Sequence, residues 1–238
     1  MSAAQPCGSA DCPVPPPEPS LLRHLRTTLV PAGTTWHRGV AVMHPDATVL
    51  VAGRGDSRFA PLEGTSHVYL ASNAFAALLE SAFHDATPPE PRIYQPQLAR
   101  WIEAVVATTV EVRLIDLRDT ELVRLGIARE GLVATEPTHY SCTRLWADAL
   151  HGRVVGGRQT HGLLWQSRQT ELHAAALGSR PALSELIAEL PAEVAVIWSP
   201  PVASDLLTDT SHGLGPLDGI DAADFVDDVI ALLGIIVE

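Results

Sequence analysis

The chain has 238 residues, 46% of them hydrophobic, with 16 basic against 28 acidic side chains and a formal net charge of −12. That is enough apolar material for one domain with a real core, and the acidic balance speaks against a general nucleic-acid binder, whose phosphate contacts need a basic surface. Every basic residue is Arg, which excludes any mechanism that needs a Lys; no apolar run approaches the ~20 residues of a transmembrane helix and no charged-then-apolar leader pattern is present, so a cytoplasmic protein without a membrane role is expected.

Residues 1–20 (MSAAQPCGSADCPVPPPEPS) are rich in Pro, Ala and Ser and have no periodicity, which predicts a flexible or extended tail ahead of a single domain spanning 21–238. Cys7, Cys12 and Cys142 form an odd, sparse set that suits a reducing compartment better than a disulfide framework. Cys7 and Cys12 have the look of half a metal site, but no second pair follows in the sequence, so neither a metal nor another cofactor is implied.

LLRHLRTTLV reads as a short helix, GTTWHRGV as the first strand and TVLVAG as the second, followed by the Gly-rich loop GRGDSRFAPLEG. The RGDS string in that loop is read as coincidence. HVYLASNAFAALLESAFHD then predicts a strand, a turn and an amphipathic helix that Ser72 or Asn73 caps. Phe75, Leu78, Leu79, Ala82 and Phe83 mark its buried face, and Glu80 lies ~130° from the centre of that stripe, near the boundary of core and solvent.

Further along, LARWIEAVV is predicted as a helix and TTVEVRLIDL as a half-buried strand, because Val110, Val112 and Leu114 alternate with Glu111 and Arg113. HYSCTRLWADALHG predicts a helix ended by Gly152, THGLLWQSRQ a strand running into a loop, and EVAVIWS another strand. DAADFVDDVIALLGIIVE has apolar residues at helical spacing, with last residues that suit a strand equally well. Strands and helices are mixed without strict βαβ alternation, which favours α+β over a doubly wound fold. Nucleophile elbow, phosphate loop and H-E-x-x-H signatures are missing.

Five short segments stand out in order: W-H-R-G with Arg38, S-R-F-A-P with Arg58, V-Y-L-A with Tyr69, L-L-E-S-A-F with Glu80, and H-G-L-L-W-Q-S-R with Ser167. Together with H-A-A-A-L-G-S-R, which ends at Arg180, they resemble the RES domain, a family named for its Arg, Glu and Ser, over about residues 34–180. The resemblance implies an ADP-ribosyltransferase-like α+β fold with a cleft between two small β-sheets flanked by helices. It also implies consumption of NAD by a phosphorylase or glycohydrolase that acts as the toxin of a toxin–antitoxin pair. Inorganic phosphate is then a candidate co-substrate, a cognate antitoxin protein the expected partner, and a homo-oligomer compatible with the pattern. His37, Ala60 and His161 depart from the family pattern at positions next to these motifs.

Carried over residue by residue, the resemblance makes Glu80, Arg38 and Ser167 the candidate catalytic residues and Arg58, Tyr69 and Arg38 the substrate-binding ones. The residue types suit the chemistry. Nicotinamide leaves as a neutral molecule, so one carboxylate, Glu80, suffices to face the oxocarbenium-like transition state. Arg38 and Arg58 offer planar forks for pyrophosphate or phosphate, Tyr69 a ring for nicotinamide, and Ser167 a hydroxyl for a phosphate or ribose oxygen. Plainer readings stand beside these: a solvated Arg58, a core Tyr69, a structural hydrogen-bonding Ser167 and an Arg38 paired with a carboxylate. His37, His139 and His161 read as structural or surface residues, and the five Trp residues as core. Two rival functions remain at this level, an ADP-ribosyltransferase that modifies a protein and a non-catalytic nucleotide-binding module.

Overall fold

A computed structural model describes residues 6–44, 46–49, 51–52, 57–60, 65–176, 192–198, 206–210 and 212–238. In chain order the elements are α1 (Pro19–Leu22), β1 (Thr27–Val30), β2 (Thr35–Ala41), β3 (Val51–Ala52), β4 (Ser66–Ala71), α2 (Ala74–Leu79), β5 (Arg92–Ile93), α3 (Gln95–Leu98), β6 (Trp101–Thr108), β7 (Val112–Asp116) and α4 (Asp119–Leu125). They continue with α5 (Tyr140–Leu150), β8 (Val154–Val155), β9 (Arg158–Gln159), β10 (Gly162–Gln166), α6 (Arg168–Ala176), β11 (Glu193–Trp198), β12 (Leu207–Asp209), β13 (Gly215–Pro216), α7 (Ile220–Leu233) and β14 (Ile236–Val237).

Ten strands form one mixed, curled sheet in the order β1-β7-β10-β11-β4-β2-β6-β12, with β3 on β4 and β13 on β6. It is antiparallel except where β10 runs parallel to β7. The sheet is nearly cut in two: β4 follows β11 from Ala71 to His67 and β2 follows β6 from Thr35 to Ala41, but β2 and β4 meet only at His37 and Ala71. The two wings that splay from this point are the walls of the expected cleft, and the architecture is the expected α+β one.

α2 fills the angle between the wings. Asn73 caps it by accepting the Ala76 N–H at 2.8 Å, as its sequence predicts, and Phe75, Leu78, Leu79 and Phe83 are buried. Ala76 and Ala77 are buried as well, against Ala71 of β4, so the helix is enclosed on more than the one predicted face and ends at Leu79. β2 passes very close to the turn that follows. A Cβ on Gly39 would lie 2.0 Å from the Ser81 hydroxyl oxygen and 2.5 Å from Ser81 Cβ, so only glycine lets the strand and the end of the helix touch.

Four local expectations change. LARWIEAVV is a strand, β6, lying between β2 on one edge and β12 and β13 on the other. Both its faces are covered, Val105 and Val106 being buried in succession, so its apolar residues lose the period of two that marks a half-buried strand. TTLV of the first predicted helix forms β1 on β7, and α1 is a single turn. The segment after β10 is a helix, α6. Of the predicted second strand, Val51 and Ala52 form β3, Thr48 and Val49 lie before it, and Leu50 and Gly53 lie outside the described residues. Residues 6–18 carry no helix or strand, yet they lie on the body: Val14 is buried and the Trp146 indole N–H donates to the Pro15 carbonyl at 2.7 Å. Arg54–Asp56 of the RGDS string and Leu177–Arg180 lie outside the described residues.

Three apolar clusters hold this frame. One packs Phe59, Trp146, Trp165 and Trp198 under α4 and α5, a second lies within the sheet around Trp36, Val106 and Leu164, and a third joins α2 to α7 through Phe75, Phe83, Val226 and Leu233. Trp101 is partly buried beside the third.

Candidate active site

Glu80 ends α2 and faces Ser167 across the splayed wings. The Ser167 hydroxyl donates to Glu80 Oε1 at 2.7 Å and accepts from the Thr170 N–H and the Thr170 hydroxyl, both at 3.1 Å. Ser167 is therefore the N-cap of α6, with Thr170 at the third helical position, and its side chain is fully buried. Its one proton and both lone pairs are committed. Its hydroxyl thereby holds the Glu80 carboxylate in one orientation, as a structural hydrogen-bonder would.

A cavity of about 50 Å³ is lined by Arg38, Tyr69, Glu80, Ser81, His37 and Gly39, among others. Three of the five residues singled out from the sequence thus share one cavity, and a fourth, Ser167, is bonded to it through Glu80. Arg38 lies on β2 beside the Gly39 contact. Burial pulls its guanidinium down to about 10, so it keeps its charge at neutral pH. The guanidinium donates to the carbonyls of Ala47 and, at 3.0 Å, Val49, so a short loop is strapped across it.

Tyr69 stands in the middle of β4. Its hydroxyl accepts the Phe59 N–H at 3.0 Å and donates to Ser57 Oγ at 3.1 Å, and its ring meets His67 and Trp165 edge-on. Burial raises the phenol to about 12, so it stays neutral. Arg58 is drawn away from the cavity. Its guanidinium donates to the Thr135 carbonyl at 3.1 Å and the Tyr140 hydroxyl at 3.2 Å and lies 5.1 Å from the centre of the Tyr140 ring, while its Nε has no partner among the described residues. Tyr69 and Arg58 are joined through the loop 57–60, so the two are parts of one support.

A buried carboxylate escaped the sequence reading. Glu103 on β6 is 1% exposed; Oε1 lies 2.7 Å from His37 Nδ1 and Oε2 accepts the Leu214 N–H at 2.7 Å. The one sign was a Glu inside the apolar run W-I-E-A-V-V, masked by taking that run for a helix. His37 thereby gains an anchor at the wall of the cavity. His161 takes the Arg113 N–H on Nδ1 at 2.9 Å, and burial depresses its pKa, which makes it a neutral acceptor in the sheet. A wider cavity of about 520 Å³ opens beyond α6, lined by Pro13, Arg129, Thr135, His139, Arg168 and Glu171, but Arg129 there is already paired with Asp119 and Glu171.

The sequence profile of the RES domain matches residues 33–199. The chain belongs to the RES domain family. Among solved structures, this RES domain is similar to a chain of the M. tuberculosis MbcT–MbcA toxin–antitoxin complex, at 13% identity and a TM-score of 0.51, over 82% of this chain and 90% of that one. At such low identity the likeness establishes the fold. No curated protein sequence matches. Among the described residues, no helix is long and apolar enough to cross a membrane.

Proposed function

We propose that this RES domain cleaves the nicotinamide–ribose bond of NAD, passing the ADP-ribosyl group to phosphate or water, as the toxin of a toxin–antitoxin pair. The observation that carries the proposal is the Glu80 carboxylate, fixed by Ser167 at 2.7 Å in the wall of a cavity shared with Arg38 and Tyr69. A carboxylate locked in one orientation stabilises positive charge developing on the ribose without reorganising during the reaction. As the C–N bond breaks, its electron pair goes to the nicotinamide nitrogen, and a phosphate or water oxygen bonds to the anomeric carbon; where water attacks, Glu80 takes its proton.

A cavity of about 50 Å³ is far smaller than the ~300–1,000 Å³ typical of ligand sites, so the proposal requires the site to open as NAD enters. Arg38 reaches a phosphate oxygen by exchanging the Ala47 and Val49 carbonyls for it, which opens the loop as substrate enters. The fold neighbour from a toxin–antitoxin complex supports a protein antitoxin as partner.

The test is incubation of purified protein with NAD, with and without inorganic phosphate, with products identified by mass spectrometry. ADP-ribose phosphate formed only with phosphate, or ADP-ribose without it, and absent in Glu80→Gln, is the expected result. Intact NAD under all conditions with folded, antitoxin-free protein overturns the proposal, and ADP-ribose attached to a protein reassigns it to a transferase.

A further inference from the structure

Cys7, Cys12 and Cys142 are separated by up to 135 positions, yet their sulfurs all lie within 4.8 Å of one another. Cys12 and Cys142 are 3.6 Å apart and all three are free thiols, one buried and two half-buried. A tetrahedral zinc ion with Zn–S bonds of ~2.3 Å holds its sulfurs about 3.8 Å apart, so the observed spacing needs little adjustment. The fourth side chain is close by. His139, three residues before Cys142, is a neighbour of the Cys7 thiol with its Nδ1 buried without a partner among the described residues; it lies outside the 4.8 Å group of sulfurs, so its ring has to swing toward them to complete a tetrahedron.

We propose that Cys7, Cys12, Cys142 and His139 form a structural zinc site that fastens the N-terminal segment to the start of α5. The chemistry favours zinc over harder cations, since thiolate and imidazole are its usual ligands and four protein donors leave no open position for catalysis. A divalent cation lets the three thiolates coexist.

The path of the chain agrees. Val14 is buried, Pro13 lies so close to Gly131 that a Cβ there would sit 2.9 Å from the Pro13 carbonyl, and Trp146, one turn after Cys142, donates to Pro15. Thr135 and Tyr140, which bracket His139, are the groups that hold the Arg58 guanidinium. The metal therefore stiffens the turn behind Arg58. This inference does not depend on the NAD reading.

The test uses the full chain carrying Glu80→Gln, so that any toxicity does not limit expression, purified under reducing conditions without chelator. Elemental analysis is expected to give equimolar zinc, and replacement by cobalt to give tetrahedral visible bands with thiolate charge transfer. Cys7→Ser and His139→Ala, both at half-buried positions on the rim of the core, are expected to lose equimolar zinc and to alter the cobalt spectrum while the folded circular dichroism is kept. Three outcomes overturn the site: thiols that remain equally reactive after loading with zinc, a cobalt spectrum without thiolate bands, or a Cys12–Cys142 disulfide found by mass in the freshly isolated protein. A cobalt spectrum unchanged in His139→Ala overturns the place of His139.

Discussion

Gly39→Ala tests the contact that sets Glu80 against β2. The added Cβ would meet Ser81 Oγ at 2.0 Å and Ser81 Cβ at 2.5 Å, against ordinary carbon contacts of ~3.5–4.0 Å. Rotating Ser81 moves the oxygen, at the loss of its 2.6 Å bond to the Ala77 carbonyl, but leaves Cβ in place, so strand and helix end must separate by about 1 Å. Overpacking of this kind costs ~1–3 kcal/mol, partly offset by the ~0.5–1 kcal/mol that alanine gains over glycine in a strand. Ser81→Gly removes both clashing atoms. Its own cost is about 1–2 kcal/mol for the lost hydrogen bond and added chain freedom.

Urea unfolding of the four proteins of the cycle, followed by tryptophan fluorescence with equal m-values, measures the coupling. Gly39→Ala is expected to lower stability in the parent and to be nearly neutral beside Ser81→Gly, a coupling of about 1–2 kcal/mol. Equal destabilisation by Gly39→Ala in both backgrounds, or none in either, refutes the close approach as the reason for glycine.

Ser167→Ala removes both the α6 cap and the bond to Glu80 and is expected to cost about 2–4 kcal/mol in urea unfolding, with NAD turnover falling further than the folded fraction does. Ser167→Thr, which keeps a hydroxyl, is expected to recover part of that turnover. Tyr69→Phe keeps the ring contacts but frees Phe59 N–H and Ser57 Oγ, so stability falls by about 1–2 kcal/mol and hydrogen exchange at Phe59 accelerates. Burial lowers the pKa values of His67, His161 and His173, so the unfolded chain binds more protons than the folded one below its histidine pKa of ~6.5. Stability is therefore complete above about pH 7 and declines as the pH drops through ~6.5 towards the folded values. Thermal melts from pH 7.5 to 5 read this, with a shallower decline expected in His161→Gln.

Much of the site was legible because local physics carries it. Asn73 ahead of an alanine-rich apolar stripe is a cap wherever the helix lies, and the alternation of Val112 and Leu114 with Arg113 marks a strand before its partners are known. The order of the motifs around Arg38, Arg58, Tyr69, Glu80 and Ser167 carried the family. What those residues touch was not legible. The sequence of β6 has no single exposed face, because strands on both edges and partial packing on both sides come from segments up to about a hundred residues away, and a strand with buried residues on both faces has no clean period to read.

The same holds for Ser167. That it caps a helix is a local property, but that its proton goes to Glu80, 87 positions earlier, depends on where α2 and α6 cross. The cysteines make the case most clearly. Read in order they are half a metal motif and an isolated thiol, and only the docking of residues 7–15 onto α5 gathers the three sulfurs at one point. Sequence alone determined the chemistry on offer, since residue type fixes charge, donors and nucleophiles and short-range sterics fix caps and turns. Tertiary structure decided which of those groups meet, because distance in space is set by the long-range packing of the apolar clusters and not by spacing along the chain.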